Sequence, residues 1–129
     1  MNVLSHVLLI DDNPVQLSVR EAVLRNAGFQ VSIATTPDGA LATLRGLSAR
    51  IGLVVTDHVM PELSGSALVR TIRAENKWLP VIVLSGLSEA EVEYRDLDVV
   101  FRMKPLAPAD LIQLVRTSLE EATRHRGAA

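Results

Sequence analysis

Short apolar runs alternate along the chain with segments whose apolar residues recur at helical spacing. Val7-Leu8-Leu9-Ile10 is continuous and β-rich, which predicts a strand buried on both faces. In the next segment, Pro14 to Ala27, Val15, Val19, Ala22 and Val23 fall at the spacing of one helix face. Asp12 or Asn13 can cap that helix, and Pro14 suits its first turn because the missing N–H would have no helical partner there. Gly28 offers the left-handed residue that ends it. Val31 to Ala34 predicts a second strand, Thr36-Pro37 opens a helix carrying Leu41 and Leu44, and Ile51 to Thr56 predicts a third strand. Ala67, Leu68 and Ile72 stripe a third helix before a fourth strand, Val81 to Leu84. Ser88 and Glu91 stand at capping-box spacing and predict a short fourth helix, followed by a fifth strand from Val99 to Met103. Pro108 opens a last helix whose one face carries Leu111, Leu114, Val115, Ser118, Leu119 and Ala122, ending near Gly127.

Five strand-then-helix units with doubly apolar strands predict an α/β fold: a doubly wound, five-stranded parallel sheet, (βα)5, with right-handed crossovers and helices on both faces. The 129 residues read as one domain, 1–129, with a core of about 5–122 and a tail of 123–129. An apolar fraction of 48% with a net charge of −2 fits a folded chain rather than a disordered one. No apolar run approaches the roughly 18 residues of a membrane span. Met1 to Ile10 lacks a basic n-region and a small-residue cleavage site, so the expected location is cytoplasmic, with no membrane partner. The absence of cysteine removes disulfides, thiolate metal sites and thiol nucleophiles. Mild acidity gives no footprint for direct nucleic-acid binding, and Arg124-His125-Arg126 reads as cations complementing a helix C-terminus.

Open parallel sheets bind ligands beyond the carboxyl ends of their strands. Asp11 and Asp12 follow the first strand, Asp57 the third, Ser85 the fourth, and Lys104 with Pro105 the fifth. With the strand order 2-1-3-4-5, Asp57 is central, with the acidic pair on one side and Ser85 and Lys104 on the other. Two carboxylates about 4 Å apart repel by roughly 4 kcal/mol at an effective dielectric near 20, so three gathered together need a cation or a shifted proton. Mg²⁺ suits carboxylate oxygen and water, whereas the lack of Cys and of clustered His argues against zinc. A carboxylate beside Mg²⁺ and a lysine is placed to attack phosphorus, with the Ser85 hydroxyl and Lys104 on the phosphoryl oxygens.

Asp11-Asp12, the run Asp57-His58-Val59-Met60-Pro61 with Gly65 beyond it, Ser85 ending a Val-Ile-Val-Leu strand, and Lys104-Pro105 together resemble the receiver domain of two-component response regulators, over roughly Ser5 to Ala122. The order 2-1-3-4-5 is that known for this class of sheet and comes with the resemblance. The resemblance implies that Asp57 accepts a phosphoryl group from a histidine kinase or histidine phosphotransfer protein, with Mg²⁺ required. It implies that Asp12 ligates the metal directly, Asp11 largely through water, and Val59 through its backbone carbonyl. Ser85 and Lys104 would hold the phosphoryl group, and Lys104-Pro105 would be a cis peptide. Movement of Ser85 toward the phosphate would let Phe101 turn inward and alter the face of the fourth helix, fifth strand and fifth helix, which could also serve a homodimer.

The chain departs from the family pattern between Ser85 and Lys104, where the fourth helix is short and Leu97-Asp98-Val99 replaces the usual Gly-Ala. Val59 and Leu87 are apolar two positions after Asp57 and Ser85, where polar groups are common, and a dry entrance would prolong the phosphorylated state. His58 reads as a solvated loop side chain, and Trp78 as a residue of the loop before the fourth strand. The rival reading is an Asp-nucleophile phosphohydrolase. It lacks its Asp-x-Asp motif, because Val59 stands where the general acid would, and the chain has no room for a cap. Enzymatic activity is therefore expected only as self-phosphorylation and slow self-dephosphorylation.

Overall fold

A computed structural model describes residues 6–47, 50–61 and 63–128. Strands β1 (His6–Ile10), β2 (Gln30–Ala34), β3 (Ile51–Asp57), β4 (Val81–Ser85) and β5 (Val100–Met103) form one sheet in the order β2-β1-β3-β4-β5, every pair parallel. The helices are α1 (Pro14–Asn26), α2 (Pro37–Leu47), α3 (Gly65–Glu75) and α4 (Pro108–Ala128), with a 3-10 helix, η1 (Ser88–Tyr94), between β4 and β5.

Alternate residues of each strand enter different cores, as the two-residue period of a strand requires. Leu8, Ile10, Val54, Val81 and Val83 pack with Leu44 of α2 and with Leu68, Val69 and Ile72 of α3. Val7, Leu9, Leu53, Val55, Ile82 and Leu84 pack with Leu17 and Leu24 of α1 and with Leu111, Val115 and Leu119 of α4. Burying each such side chain contributes about 1.5–3 kcal/mol of transfer free energy. These two layers hold the carboxyl ends of β1, β3, β4 and β5 side by side.

Two expectations fail locally. The buried residues of α1 are Leu17 and Leu24, while Val15 and Val19 are exposed at 71% and 58%. The apolar stripe read from the sequence therefore faces outward, because two leucines supply the packing that four smaller residues were expected to give. The Ser88–Glu91 capping box does not form: Leu87 occupies the cap position of η1, and no side chain caps it. Burial of Ala90 and Tyr94 fixes this segment instead, and short turns such as Ala90 N–H to Leu87 C=O and Leu97 N–H to Tyr94 C=O close it. Asn13 does cap α1, accepting from Val15 and Gln16 N–H. Trp78 lies in the loop before β4 and is exposed. No helix among the described residues is long and apolar enough to cross a membrane.

Candidate functional site

Asp11 directly follows β1, Asp57 ends β3, Ser85 ends β4 and Lys104 directly follows β5. The sheet brings ligand oxygens of Asp11, Asp12 and Asp57 within 4.8 Å of one another, with Asp11 and Asp57 buried and Asp12 exposed. Lys104 Nζ lies 2.7 Å from Asp57 Oδ1. The contact is an ion pair without the alignment of a hydrogen bond, and Oδ1 is a buried oxygen with no hydrogen-bond partner. The ammonium meets the charge of that oxygen but leaves its lone pairs without an aligned donor. Burial, and after it the neighbouring Asp11 carboxyl, pushes the Asp57 carboxyl up to about 6, with Lys104 pulling the other way. The donor set of three carboxylates, with one buried oxygen lacking an aligned hydrogen bond, fits a hard divalent cation.

Sequence reasoning missed Arg20. Its Nη1 lies 2.8 Å from Asp11 Oδ2 and 3.6 Å from Asp57 Oδ1. Asp11 Oδ1 accepts from the Asn13 N–H at 2.9 Å, so both oxygens of Asp11 are engaged. The signal was present in the spacing: residues 17, 20 and 24 share one helix face. Once Leu17 and Leu24 mark the inward face of α1, Arg20 must point inward between them.

Ser85 is buried at the mouth of β4, but its hydroxyl is engaged with its own loop. It donates to the Leu87 carbonyl at 3.1 Å and accepts from the Leu87 N–H at 2.9 Å. Phe101 is half-buried on β5, its ring 5.8 Å from that of Tyr94. Lys104–Pro105 is cis, as expected. The Val59 side chain is exposed at 62%.

His58 is not a solvated loop residue. It is buried, its Nδ1 hydrogen-bonded to Tyr94 Oη at 2.6 Å, its Nε2 3.5 Å from Glu93 Oε2. Glu93 Oε1 also accepts from the Ser66 hydroxyl at 2.7 Å. The tether runs from the residue after Asp57, through η1, to the ring of Phe101. Gly65 is forced by the same packing, since a Cβ there would meet Tyr94 Oη, the Asp57 carbonyl at 2.7 Å and His58 Cα at 2.8 Å.

Residues 7–116 match the model of the response regulator receiver domain. The chain is 30% identical over 114 residues to the two-component response regulator ORR5 of Oryza sativa subsp. japonica, covering 84% of each. It is 35% identical over 125 residues to the transcriptional regulatory protein PrrA of Mycobacterium leprae, covering 95% of this chain. It spans 51% of PrrA's length, and 19% of that of a further relative from Arabidopsis thaliana. Among solved structures, a response regulator receiver protein from Pseudomonas putida superposes with a TM-score of 0.80 at 36% identity, over 87% of this chain and 95% of that one.

Proposed function

Because the chain belongs to the response regulator receiver domain family, we propose that it is a phosphorelay module in which Asp57 carries the phosphoryl group. The single observation behind this reading is the buried Asp57 carboxylate, ion-paired with Lys104 but without an aligned hydrogen bond on Oδ1, set beside Asp11 and Asp12 at the mouth of the central strand. A phosphohistidine on a histidine kinase or histidine phosphotransfer protein is the donor. An Asp57 oxygen bonds to phosphorus as the P–N bond breaks, and the imidazole leaves with the electron pair and takes up a proton.

Asp11, Asp12, Asp57 and the Val59 carbonyl are the residues that would hold Mg²⁺, whose charge would neutralise phosphoryl oxygens as negative charge develops. The Lys104 ammonium, already at Asp57, would do the same. Ser85 must give up its bonds to Leu87 to donate to the phosphoryl group, and that exchange reports phosphorylation to the β4–η1 loop. Phe101 lies downstream of it, and Val92 and Met103 leave apolar area on the face of η1, β5 and α4, where a partner or second copy would dock. The exposed Val15 and Val19 of α1 line a cavity with Arg20 and Lys104 and give a donor protein an apolar foothold on that side of the site.

Incubation with Mg²⁺ and acetyl phosphate, followed by intact mass measurement, tests the reading. The wild type should gain one phosphoryl mass and Asp57→Ala none. An unchanged wild-type mass with several small phosphodonors would overturn it.

A further inference from the structure

Arg20 sets its guanidinium against two of the three carboxylates of the acidic cluster. Its Nη1 bridges Asp11 Oδ2 and Asp57 Oδ1 at 2.8 and 3.6 Å, and its side chain is only 17% exposed. It comes from the inward face of α1 and is held there by the packing of Leu17 and Leu24 on either side. The charges make the consequence plain. Asp11, Asp12 and Asp57 bring three negative charges, and Lys104 returns one positive charge at Asp57. With Arg20 in place one net negative charge remains to attract a divalent cation; with Arg20 withdrawn there are two.

We propose that Arg20 is a resident counter-cation of the acidic pocket, competing with the divalent metal: it holds the metal-free carboxylates together and lowers metal affinity, so that metal entry requires the guanidinium to withdraw. The inference rests on reading the three aspartates as the metal site. Arg20 is a positioning residue in this scheme, acting through Asp11 and Asp57 rather than on the phosphoryl group.

The energetic direction follows from Coulomb's law. A guanidinium left about 4 Å from a divalent cation would disfavour binding by roughly tenfold or more even in a water-like dielectric, so it must withdraw and give up its pairs with Asp11 and Asp57. Asp11 loses its Arg20 partner when metal enters, yet keeps the Asn13 N–H on its other oxygen, so it stays oriented through the exchange. Removing the guanidinium should therefore improve metal binding while weakening the metal-free protein, a pairing that an ordinary packing role would not give.

Calorimetric titration with Mg²⁺ of the wild type, Arg20→Gln and Arg20→Lys, paired with thermal melts in chelator and in saturating Mg²⁺, tests this. Arg20→Gln should bind Mg²⁺ about tenfold or more tightly. It should melt lower than wild type in chelator, and the gap should close in Mg²⁺. Arg20→Lys, which keeps the charge, should bind Mg²⁺ close to the wild type. Equal or weaker binding by Arg20→Gln, or an equal loss of Tm with and without metal, would overturn the proposal. Absence of Mg²⁺ binding in every variant would overturn both the proposal and the metal-site reading. Tighter binding by Arg20→Gln in a protein that no phosphodonor labels would uphold the role of Arg20 and sink the phosphoacceptor reading alone.

Discussion

Two arginines, one at each end of the sheet, show how differently the two ends are built. At the amino end of β4, Arg73 of α3 donates to the carbonyls of Leu97, Asn76, Leu79 and Asp98, so its guanidinium and the turns around it are satisfied together. Burial pulls its pKa down, with the Asp98 charge opposing, but an arginine this well supplied with carbonyls keeps its proton. At the carboxyl end, Arg20 meets carboxylates instead, and Asp57 Oδ1 still lacks a hydrogen bond. One end is closed and the other is held short of its best arrangement. A ligand that binds the second end gains the free energy the metal-free protein forgoes there.

Asp57→Asn tests that difference most severely. It should abolish phosphoryl incorporation, read by intact mass, and at the same time raise metal-free stability at neutral pH. In the unfolded chain an aspartate titrates near about 4. The folded carboxyl is raised to about 6, so between those values the folded state holds a proton that the unfolded state has lost. Metal-free stability therefore falls as pH rises from about 4 through 6, by at most about 3 kcal/mol. The Asn variant should lose this slope, so its advantage in urea melts should be full at pH 7.5 and fall to about a third of that at pH 4.5. Saturating Mg²⁺ should stabilise the wild type far more than the variant. A wild type whose metal-free stability is flat from pH 4.5 to 7.5 would show that the carboxyl end is not under tension.

Arg73→Met is the matching test at the closed end. The change retains much of the aliphatic stem but leaves four carbonyls without their charged donor, a loss of about 2–4 kcal/mol. The melting temperature should fall by roughly 10 °C. Because no carboxylate is involved in the four contacts, that loss should be the same with Mg²⁺ as with chelator, opposite to the behaviour expected of Arg20→Gln. A metal-dependent loss at Arg73 would erase the distinction between the ends.

The legibility of the molecule divides along similar lines. Strands of a parallel sheet covered on both faces are continuous apolar runs, so Val7–Ile10 and Val81–Leu84 could be read directly, and the polar residues that end such runs are conspicuous. Asp11, Asp57, Ser85 and Lys104 could be placed at neighbouring strand ends, because the sheet order that the resemblance implied sets those ends side by side. Arg20, His58 and Tyr94 were not, since their positions depend on which way a helix or loop is rotated. On α1 the apolar count favoured Val15 and Val19, while core volume favoured Leu17 and Leu24, and volume decided the rotation. His58 and Tyr94 are 36 residues apart, and no local pattern announces a bond between them.

Tyr94→Phe probes that bond and should have a smaller effect. Burial, and after it the Glu93 charge, pushes the phenol above its usual range, so it remains a neutral hydrogen-bonding group across accessible pH. Losing it leaves the buried His58 Nδ1 without its partner, at a cost of about 1–2 kcal/mol in urea melts. The ring contact with Phe101 and the fill beneath η1 remain. Fluorination of both rings should show by NMR that the Phe101 environment shifts on phosphorylation in wild type, and shifts less in the variant if the His58–Tyr94 tether carries the signal. An equal shift in both would leave Ser85 and the β4–η1 loop as the sole route.

The smallest effect is expected from the rim. Val59 and Leu87 are apolar where a dry entrance would slow hydrolysis of the phosphorylated aspartate, but they are 62% and 45% exposed. Side chains that stand this far into water cover little of Asp57, so they exclude water poorly; their influence is limited to not positioning an attacking water. The Val59→Asn, Leu87→Glu pair offers hydrogen bonds to such a water, and lowering the barrier for hydrolysis by about 1 kcal/mol corresponds to a factor of about five in rate. Loss of the phosphoryl mass after quenching the donor should therefore speed up by no more than about fivefold. A change of a hundredfold would mean that the rim closes over the site once it is phosphorylated, and that the open carboxyl end is a property of the metal-free state alone.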